Sequence, residues 1–303
     1  MALFTYDDTS RREDLLSVLR DVSRAASNYL VSSLGKSTAM NTLHEWPVRN
    51  IARSGAVNTV AEGAEASEPT GDAPTRSNNI TAIFSRVVKV SGTEQAVRRA
   101  LPGSATDDEK KVKLMRLKSD MEYALINGTI ASGASGTARG MAGLRGVIST
   151  NLTGRASGTS MSVTELEDLH QNTWDATGGD GFTADVLLTP MGIKRKIATF
   201  TTRVETHGTN TDKLYNNISF FETSSGTLKI VPHKDVVNSA GCVNVIGIKE
   251  GYYKMAFLVN REPDYEALAK SGDYERGQYI TELTLESQAE AASVVRTGYN
   301  QNG

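Results

Sequence analysis

The amino-acid sequence predicts an α+β fold of two lobes with extensions, and three observations carry that prediction. One is a long helix over residues 104–128 whose ends are both marked. The second is a pair of extended segments flanking a stretch too poor in large apolar residues to bury its own surface. The third is the alternation of helical and strand patterns through the C-terminal half. At 303 residues the chain is near the limit for one hydrophobic core, so two lobes are expected rather than one.

The long helix, SATDDEKKVKLMRLKSDMEYALING, organises the rest. Thr106 followed three residues later by Glu109 reads as a capping box. Asp107 and Asp108 sit at the positive end of the helix dipole, and Asn127-Gly128 supplies the stop. Leu114, Leu117, Met121, Ala124 and Leu125 recur at spacings of three and four, which predicts an apolar stripe. Lys110, Lys111, Lys113, Lys118 and Glu122 are placed on the wet face opposite, a charge ladder of the Glu109/Lys113 type.

Before it, residues 10–35 carry a second amphipathic pattern, opened by Ser10 and Glu13, with Leu15, Leu19, Val22, Ala26 and Tyr29 on one side and a stop at Gly35. Such a terminal helix docks either on its own domain or on another subunit. Next come the extended flanks, LHEWPVRNIA and NNITAIFSRVVKV. Between them Gly55, Gly63, Pro69, Gly71 and Pro74 form turns with no aromatic, Leu or Ile to anchor them. Two readings stand, a disordered linker or a long hairpin that needs another surface to hold it.

Beyond the long helix, Gly133, Gly136, Gly140, Gly143 and Gly146 crowd one connector. Neither the Walker A spacing nor the dinucleotide fingerprint is present, so the glycines read as a connector that turns closely. A nucleotide-dependent enzyme would have to use this connector, and a nucleotide would then raise the melting temperature. The C-terminal half opens with Ser162 capping VTELEDLHQNTWDATGG. ADVLLT follows as a buried strand, and Pro190 begins the helix MGIKRKIATF. GTLKIVP, CVNVIGI, YYKMAFLV and GQYITELTLES read as strands, and Ile280, Leu283 and Leu285 make the last a candidate to pack on the long helix.

Composition narrows the function. A net charge of −2 argues against tight nucleic-acid binding, although a wall that only encloses nucleic acid would not need a basic surface. Cys242 is the single cysteine, so neither an intrachain disulfide nor a thiol-based metal site can form. The longest apolar run, Met255 to Val259, is too short to span a membrane, and MALFTYDDTS lacks a signal-peptide layout, so synthesis in the cytoplasm is expected. The Asn-x-Ser/Thr triplets at Asn79, Asn127, Asn151 and Asn217 are then chance matches. His44, His170, His207 and His233 are scattered without a metal-binding spacing, no Gly-x-Ser-x-Gly elbow occurs, and Glu167 and Asp168 point apart on their helix. No catalytic residue, cofactor or metal is expected.

The order of terminal helix, hairpin, long helix, glycine-rich connector, α/β lobe and returning strands resembles the major capsid proteins of tailed bacteriophages, which have the Hong Kong 97-type fold. The likeness covers nearly the whole chain. HEWPVRNIA, EGAEA and VKVSGTEQAV are similar to the family's extended loop, and ARGMAGLRGVIST to the turn out of its spine helix. Tyr253 to Val259, Arg261 and LAKSGDYERGQYITELTLESQAEAA are similar to its return into the peripheral domain.

The resemblance implies an N-terminal arm over 1–44, an extended loop over 45–92, a peripheral domain over 93–146 and 259–303 with its spine at 104–128, and an axial domain over 147–258. It implies subunits that close into hexamers and pentamers of an icosahedral virion capsid around double-stranded DNA, touched weakly and nonspecifically, with assembly in the host bacterial cytoplasm. It also implies a portal protein as partner and no membrane, and leaves a scaffold or cement protein open. A tail-tube or surface-layer subunit is the structural alternative. No lysine lies between Lys36 and Lys89, so no covalent cross-link through the loop is expected. The short stretch before the loop implies no fused scaffolding domain.

The resemblance assigns intersubunit contact to Trp46, Arg49, Glu62, Glu65, Glu68, Asp72 and Arg76. From Ser54 to Thr75 the only charges are four acidic ones, Glu62, Glu65, Glu68 and Asp72. Either they are solvated and keep an exposed hairpin soluble, or they dock on a basic surface of the next subunit. Lys110, Lys111, Lys113 and Lys118 on the spine, or Lys194, Arg195 and Lys196, are the candidate surfaces.

Overall fold

A computed structural model describes residues 28–49, 59–65, 73–97, 104–176, 181–200, 220–223, 226–236 and 242–300. In chain order these form α1 (Tyr29–Ser33), β1 (Gly35–Ala39), β2 (Leu43–Val48), β3 (Thr75–Ile80), β4 (Ala82–Ser91), α2 (Gly92–Ala96), α3 (Ala105–Asn127) and α4 (Leu144–Val147). Then follow β5 (Leu152–Thr159), α5 (Val163–Ala176), β6 (Val186–Thr189), α6 (Met191–Ile197), β7 (Phe220–Thr223), β8 (Gly226–Pro232) and β9 (Cys242–Ile248). The chain closes with β10 (Tyr253–Leu258), β11 (Asp264–Leu268), β12 (Tyr274–Ser287) and β13 (Val294–Asn300).

The long helix is α3, but it begins differently from the expectation. Ser104 is its N-cap, accepting the Thr106 N–H at 3.3 Å, so the Thr106/Glu109 pair lies within the helix instead of capping it. Gly128 ends it as expected, donating its N–H to the Ala124 carbonyl at 2.8 Å. Leu117, Met121 and Leu125 are buried and Leu114 half-buried. Glu122, expected on the wet face, is fully buried. The buried stripe is wider than the spacing suggested because Ile126, one turn beyond Glu122, is also inside. α5 is capped as expected by Ser162, which accepts the Glu165 N–H at 3.2 Å, whereas Pro190 is the N-cap of α6 and not its first residue.

Of the terminal helix only Tyr29–Ser33 is described; residues 10–27 of that expectation lie outside the described residues. The helix ends at Ser33 with Leu34 as C-cap, and Gly35 already starts β1. β2 and β3 pair antiparallel from Leu43↔Ile80 to Val48↔Thr75, which is the predicted hairpin. The second flank, however, is two strands and not one. At Thr81 the chain leaves the hairpin: the Thr81 N–H donates to the Thr42 carbonyl at 2.8 Å and its hydroxyl to Glu282 Oε1 at 2.7 Å. β4 then pairs with β12, so residues 82–91, assigned to the extended loop, belong to the body.

Two larger sheets make the body. One runs β1-β10-β12-β11 with β4 on β12; β4 and β11 pair with the same β12 residues and so take its opposite edges. The other runs β5-β13-β9-β6-β8-β7. β13 corrects a second boundary. Residues 259–303 were all expected beside the spine, but after the short 3-10 turn Glu290–Ala292 the chain crosses into the six-stranded sheet between β5 and β9.

The cores explain why the chain crosses. Spine residues Leu117, Met121, Leu125 and Ile126 pack with Leu283, Leu285, Met255 and Phe257, and this core continues onto Leu188, Ile246 and Val295 of the six-stranded sheet. The other face of that sheet, with Leu187, Val245 and Val294, packs under Leu166 and Leu169 of α5 and Ile193 and Ile197 of α6. Being covered on both faces, its inner strands β6 and β9 are buried throughout and read as near-continuous apolar runs, not alternations.

Candidate assembly interface

The hairpin is fastened at its base by two side chains. Trp46 is 8% exposed, and its Nε1–H donates to the Ser287 carbonyl at 2.7 Å. Asn79 is 1% exposed; its Nδ2 donates to the carbonyls of Ala142 at 3.0 Å and Leu285 at 2.8 Å, and its Oδ1 accepts the N–H groups of Ala142 and Ile80, each at 2.9 Å. Both donors and both lone pairs of that amide are therefore used. Trp46, expected among the intersubunit contacts, is an anchor within its own chain: the indole N–H needs a buried acceptor, and Ser287 supplies one.

Below the hairpin, Glu286 accepts from Ser37 Oγ at 2.7 Å and Gln288 Nε2 at 3.2 Å and lies 3.5 Å from His44 Nε2. Burial pushes its carboxyl up, but the hydrogen bonds from Ser37, Gln288 and His44 outweigh that and leave it below the ordinary carboxylate value.

Past the base the described residues of the hairpin are mostly exposed. Arg49, Arg76, Glu62 and Glu65 are exposed; Glu68 and Asp72 lie outside the described residues. Arg76 comes within 3.6 Å of Glu45, an exposed pair that contributes little. The basic faces are only partly free. Lys110 lies 4.5 Å from the Tyr265 ring centroid and 3.9 Å from Asp107, and Lys113 is 2.9 Å from Glu109. Lys111, Lys118 and Arg195 are exposed, and Lys194 and Lys196 are half-exposed. Among the described residues the chain brings none of the acidic tip residues onto these faces.

Behind the hairpin, the glycine-rich connector performs a packing task. The Gly143 N–H donates to the Gly128 carbonyl at 2.9 Å, and a Cβ on Gly128 or Gly143 would fall 2.5 or 2.6 Å from the Ala124 carbonyl oxygen. These two glycines let the connector fold against the end of the spine, which is what their absent side chains are for. Arg139 of the connector then reaches Glu282 of β12 at 2.5 Å.

Sequence reasoning missed the joint between spine and second lobe. Glu122 lies 2.9 Å from His233 Nε2, and Asn127 Nδ2 donates to the Asp235 carbonyl at 2.7 Å. The overlooked signal was Ile126, which widens the buried stripe to include Glu122.

In the second lobe Glu165 gathers Arg296 at 2.5 Å, Tyr299 at 2.6 Å and Arg155 at 3.0 Å. Burial raises the Glu165 carboxyl, yet the bonds from Tyr299 and Arg296 prevail and hold it below its ordinary value. Burial, aided by the bond to Glu165, pushes the Tyr299 phenol up to about 12.

A cleft of about 730 Å³ lies between the hairpin base and the second lobe, walled by Trp46, Ile130, Val147, Phe182 and Tyr252. Its charged lining groups are Arg49 and Glu290, and Glu290 accepts the N–H groups of Ser149 and Thr150. Among the described residues no group of three or more His, Cys, Asp or Glu side chains could hold a metal ion.

A sequence model of the SU10 major capsid protein family matches residues 3–300. The chain belongs to that family. It is a shell-forming structural protein. Solved structures agree in fold. The capsid of a native GTA particle is 13% identical, with a TM-score of 0.67 and 97% of each chain covered. Mycobacterium phage Cain is 12% identical, with a TM-score of 0.62 over 99% of each chain. The SrpI encapsulin of Synechococcus elongatus is 11% identical, with a TM-score of 0.61 over 97% of this chain and 94% of that one. No curated protein matches the sequence. These likenesses establish the Hong Kong 97-type fold for this SU10-family capsid protein.

Proposed function

We propose that this capsid protein closes into hexamers and pentamers of an icosahedral shell, and that its extended hairpin lies across the neighbouring subunit. The observation that carries this is the contrast within the hairpin: Trp46 and Asn79 are buried at the base while Arg49, Glu62, Glu65 and Arg76 are exposed. A two-stranded hairpin is marginal alone in water, so one fastened at a single end needs a second surface along its length.

The spine and the five-stranded sheet serve as the peripheral domain, and the six-stranded sheet with α5 and α6 as the axial domain. The role is structural, without chemistry of its own. The shell forms in the host cytoplasm, becomes the virion capsid, and encloses DNA through weak, nonspecific contact, as a net charge of −2 suits a container rather than a DNA binder. A portal protein occupies one vertex, and a scaffold or cement protein is compatible with this scheme.

Negative-stain microscopy of the purified protein tests the proposal. Closed icosahedral particles are expected. Tubes, flat sheets or only small oligomers of uniform size would overturn it.

A further inference from the structure

Residues 1–27 join the body at Asn28, and the joint is built on one carboxylate. α1 is five residues long, and Asn28 provides no side-chain cap. The first N–H groups of a helix have no partner within it. Here two of them are met from 92 and 91 residues away: the Leu30 N–H donates to Glu122 Oε1 and the Val31 N–H to Glu122 Oε2, each at 2.8 Å. Glu122 and His233 have no exposed side-chain surface, so the carboxylate must find all its partners inside the protein.

The third partner is His233 Nε2, 2.9 Å from Glu122 Oε1. The Asp235 N–H donates to His233 Nδ1 at 3.1 Å, which leaves Nε2 as the nitrogen that carries a proton toward Glu122. Both carboxylate oxygens are thus occupied by donors from two other parts of the chain, α1 and the segment just past β8, while Glu122 itself stands on the spine. Asn127, further along the spine, holds the same segment through the Asp235 carbonyl at 2.7 Å.

We infer that Glu122 is a positioning residue for shell assembly: it fixes where, and in which direction, residues 1–27 leave the subunit relative to both lobes. The inference rests on the shell reading above. On this inference the terminal segment, which carries Leu15, Leu19 and Val22 among charged residues, docks on a neighbouring subunit, and it reaches that surface only if its root is aimed. A carboxylate is required because two helix N–H groups need two acceptor oxygens. A glutamine offers one, and its NH2 would face a donor.

Glu122→Gln in the full-length chain tests this with three measurements. In the unassembled subunit, the melting temperature should fall by a few degrees, since the core volume is unchanged but a buried N–H loses its acceptor. Hydrogen exchange at the Leu30 and Val31 amides should rise at least about tenfold, as loss of a charge-assisted hydrogen bond implies. The yield of closed particles should fall severalfold, with misshapen shells by microscopy. Normal shells despite fast exchange at these amides would overturn the inference, because the aim of the segment would not matter. Loss of shells with exchange unchanged would also overturn it. Should Glu122→Gln not fold, Val31→Pro deletes one donor in the first helical turn, where proline is tolerated, and is judged by melting temperature, particle yield and exchange at the Leu30 amide, since proline has no amide proton of its own. Absence of particles from the wild-type protein would count against the shell reading itself, while hydrogen exchange still reports whether the joint holds α1.

Discussion

The hairpin and the spine are fastened to the same body in opposite ways. The spine buries a continuous row, Leu117, Met121, Leu125 and Ile126, so its hold is spread along half its length. Among its described residues the hairpin buries Trp46 and Asn79, both near its root. Distributed burial makes the spine part of the cooperative fold. Point fastening leaves the hairpin free to open locally without unfolding the rest. An element built to be covered by a neighbour is best attached in the second way, since its outer length can then conform to the surface it meets.

The largest expected effect is on the spine. Leu125→Ala should cost about 2–5 kcal/mol, because the fully buried site cannot collapse onto the cavity. The check is thermal unfolding of the unassembled subunit, with circular dichroism and tryptophan fluorescence shifting together. A change confined to one probe would mean that the spine is not part of one cooperative core.

Asn79→Ala comes next, with about 1–3 kcal/mol at stake from the backbone groups of Ala142 and Leu285 left without partners. Here the comparison predicts separation. Fast proteolysis within residues 49–75 and altered Trp46 fluorescence should appear while helix content stays. Global unfolding at one midpoint would show that the hairpin base is as integral as the spine.

These two sites also show what could be read from sequence. Strands β6, β9, β10 and β12 and the Ser162 cap were legible because each announces itself locally, by an apolar run or a hydroxyl before a helix. β1, GKSTA, and β5, LTGRASGT, carry no such pattern. They are strands because long-range parallel partners, β10 and β13, offer an edge. β4 and β13 were assigned to the wrong parts for a related reason: a strand pattern does not say which sheet it joins. Glu122 was misread because a polar residue is placed outside by default, and Asn79 passed without a structural role; only their distant partners reveal both as buried anchors. Of the expected contact residues, Trp46 turned inward on the same ground.

Acid should separate base from body more weakly than Asn79→Ala. Glu286 and Glu165 both have carboxyls held below the ordinary value of 4.5. A depressed carboxyl gives stability that is present above its unfolded value and lost as pH falls through the folded one. Stability should therefore be flat above about pH 5 and decline below about 4.5. Glu286→Gln should flatten the part of that decline seen by Trp46 fluorescence and leave the part due to Glu165. An unchanged Trp46 profile would remove Glu286 from the hairpin's fastening. At the alkaline end the sign reverses. Tyr253 and Tyr299, both raised to about 12, favour the folded state up to about pH 10, and their contribution is lost as pH rises from there through about 12.

The smallest effect belongs to the hairpin's far end. Glu62 and Glu65 are exposed within the subunit, and what they do depends on the shell. With Lys110 over Tyr265 and Lys113 beside Glu109, the spine offers Lys111 and Lys118 as its freer cations, and α6 offers Arg195. An exposed pair contributes only about 0–1 kcal/mol, but a closed shell repeats it at every subunit, so the sum over a particle can be read in its thermal disruption. Glu62→Gln with Glu65→Gln should lower the disruption temperature by a few degrees in dilute buffer. The difference should vanish at 1 M salt, where the Debye length is about 3 Å. The monomer's own melting temperature should not move, since neither residue touches the core. If variant and wild-type particles come apart together in dilute buffer, the acidic tip is solvated charge that keeps an open hairpin soluble, and the hairpin's outer hold must be sought in its apolar and backbone groups instead.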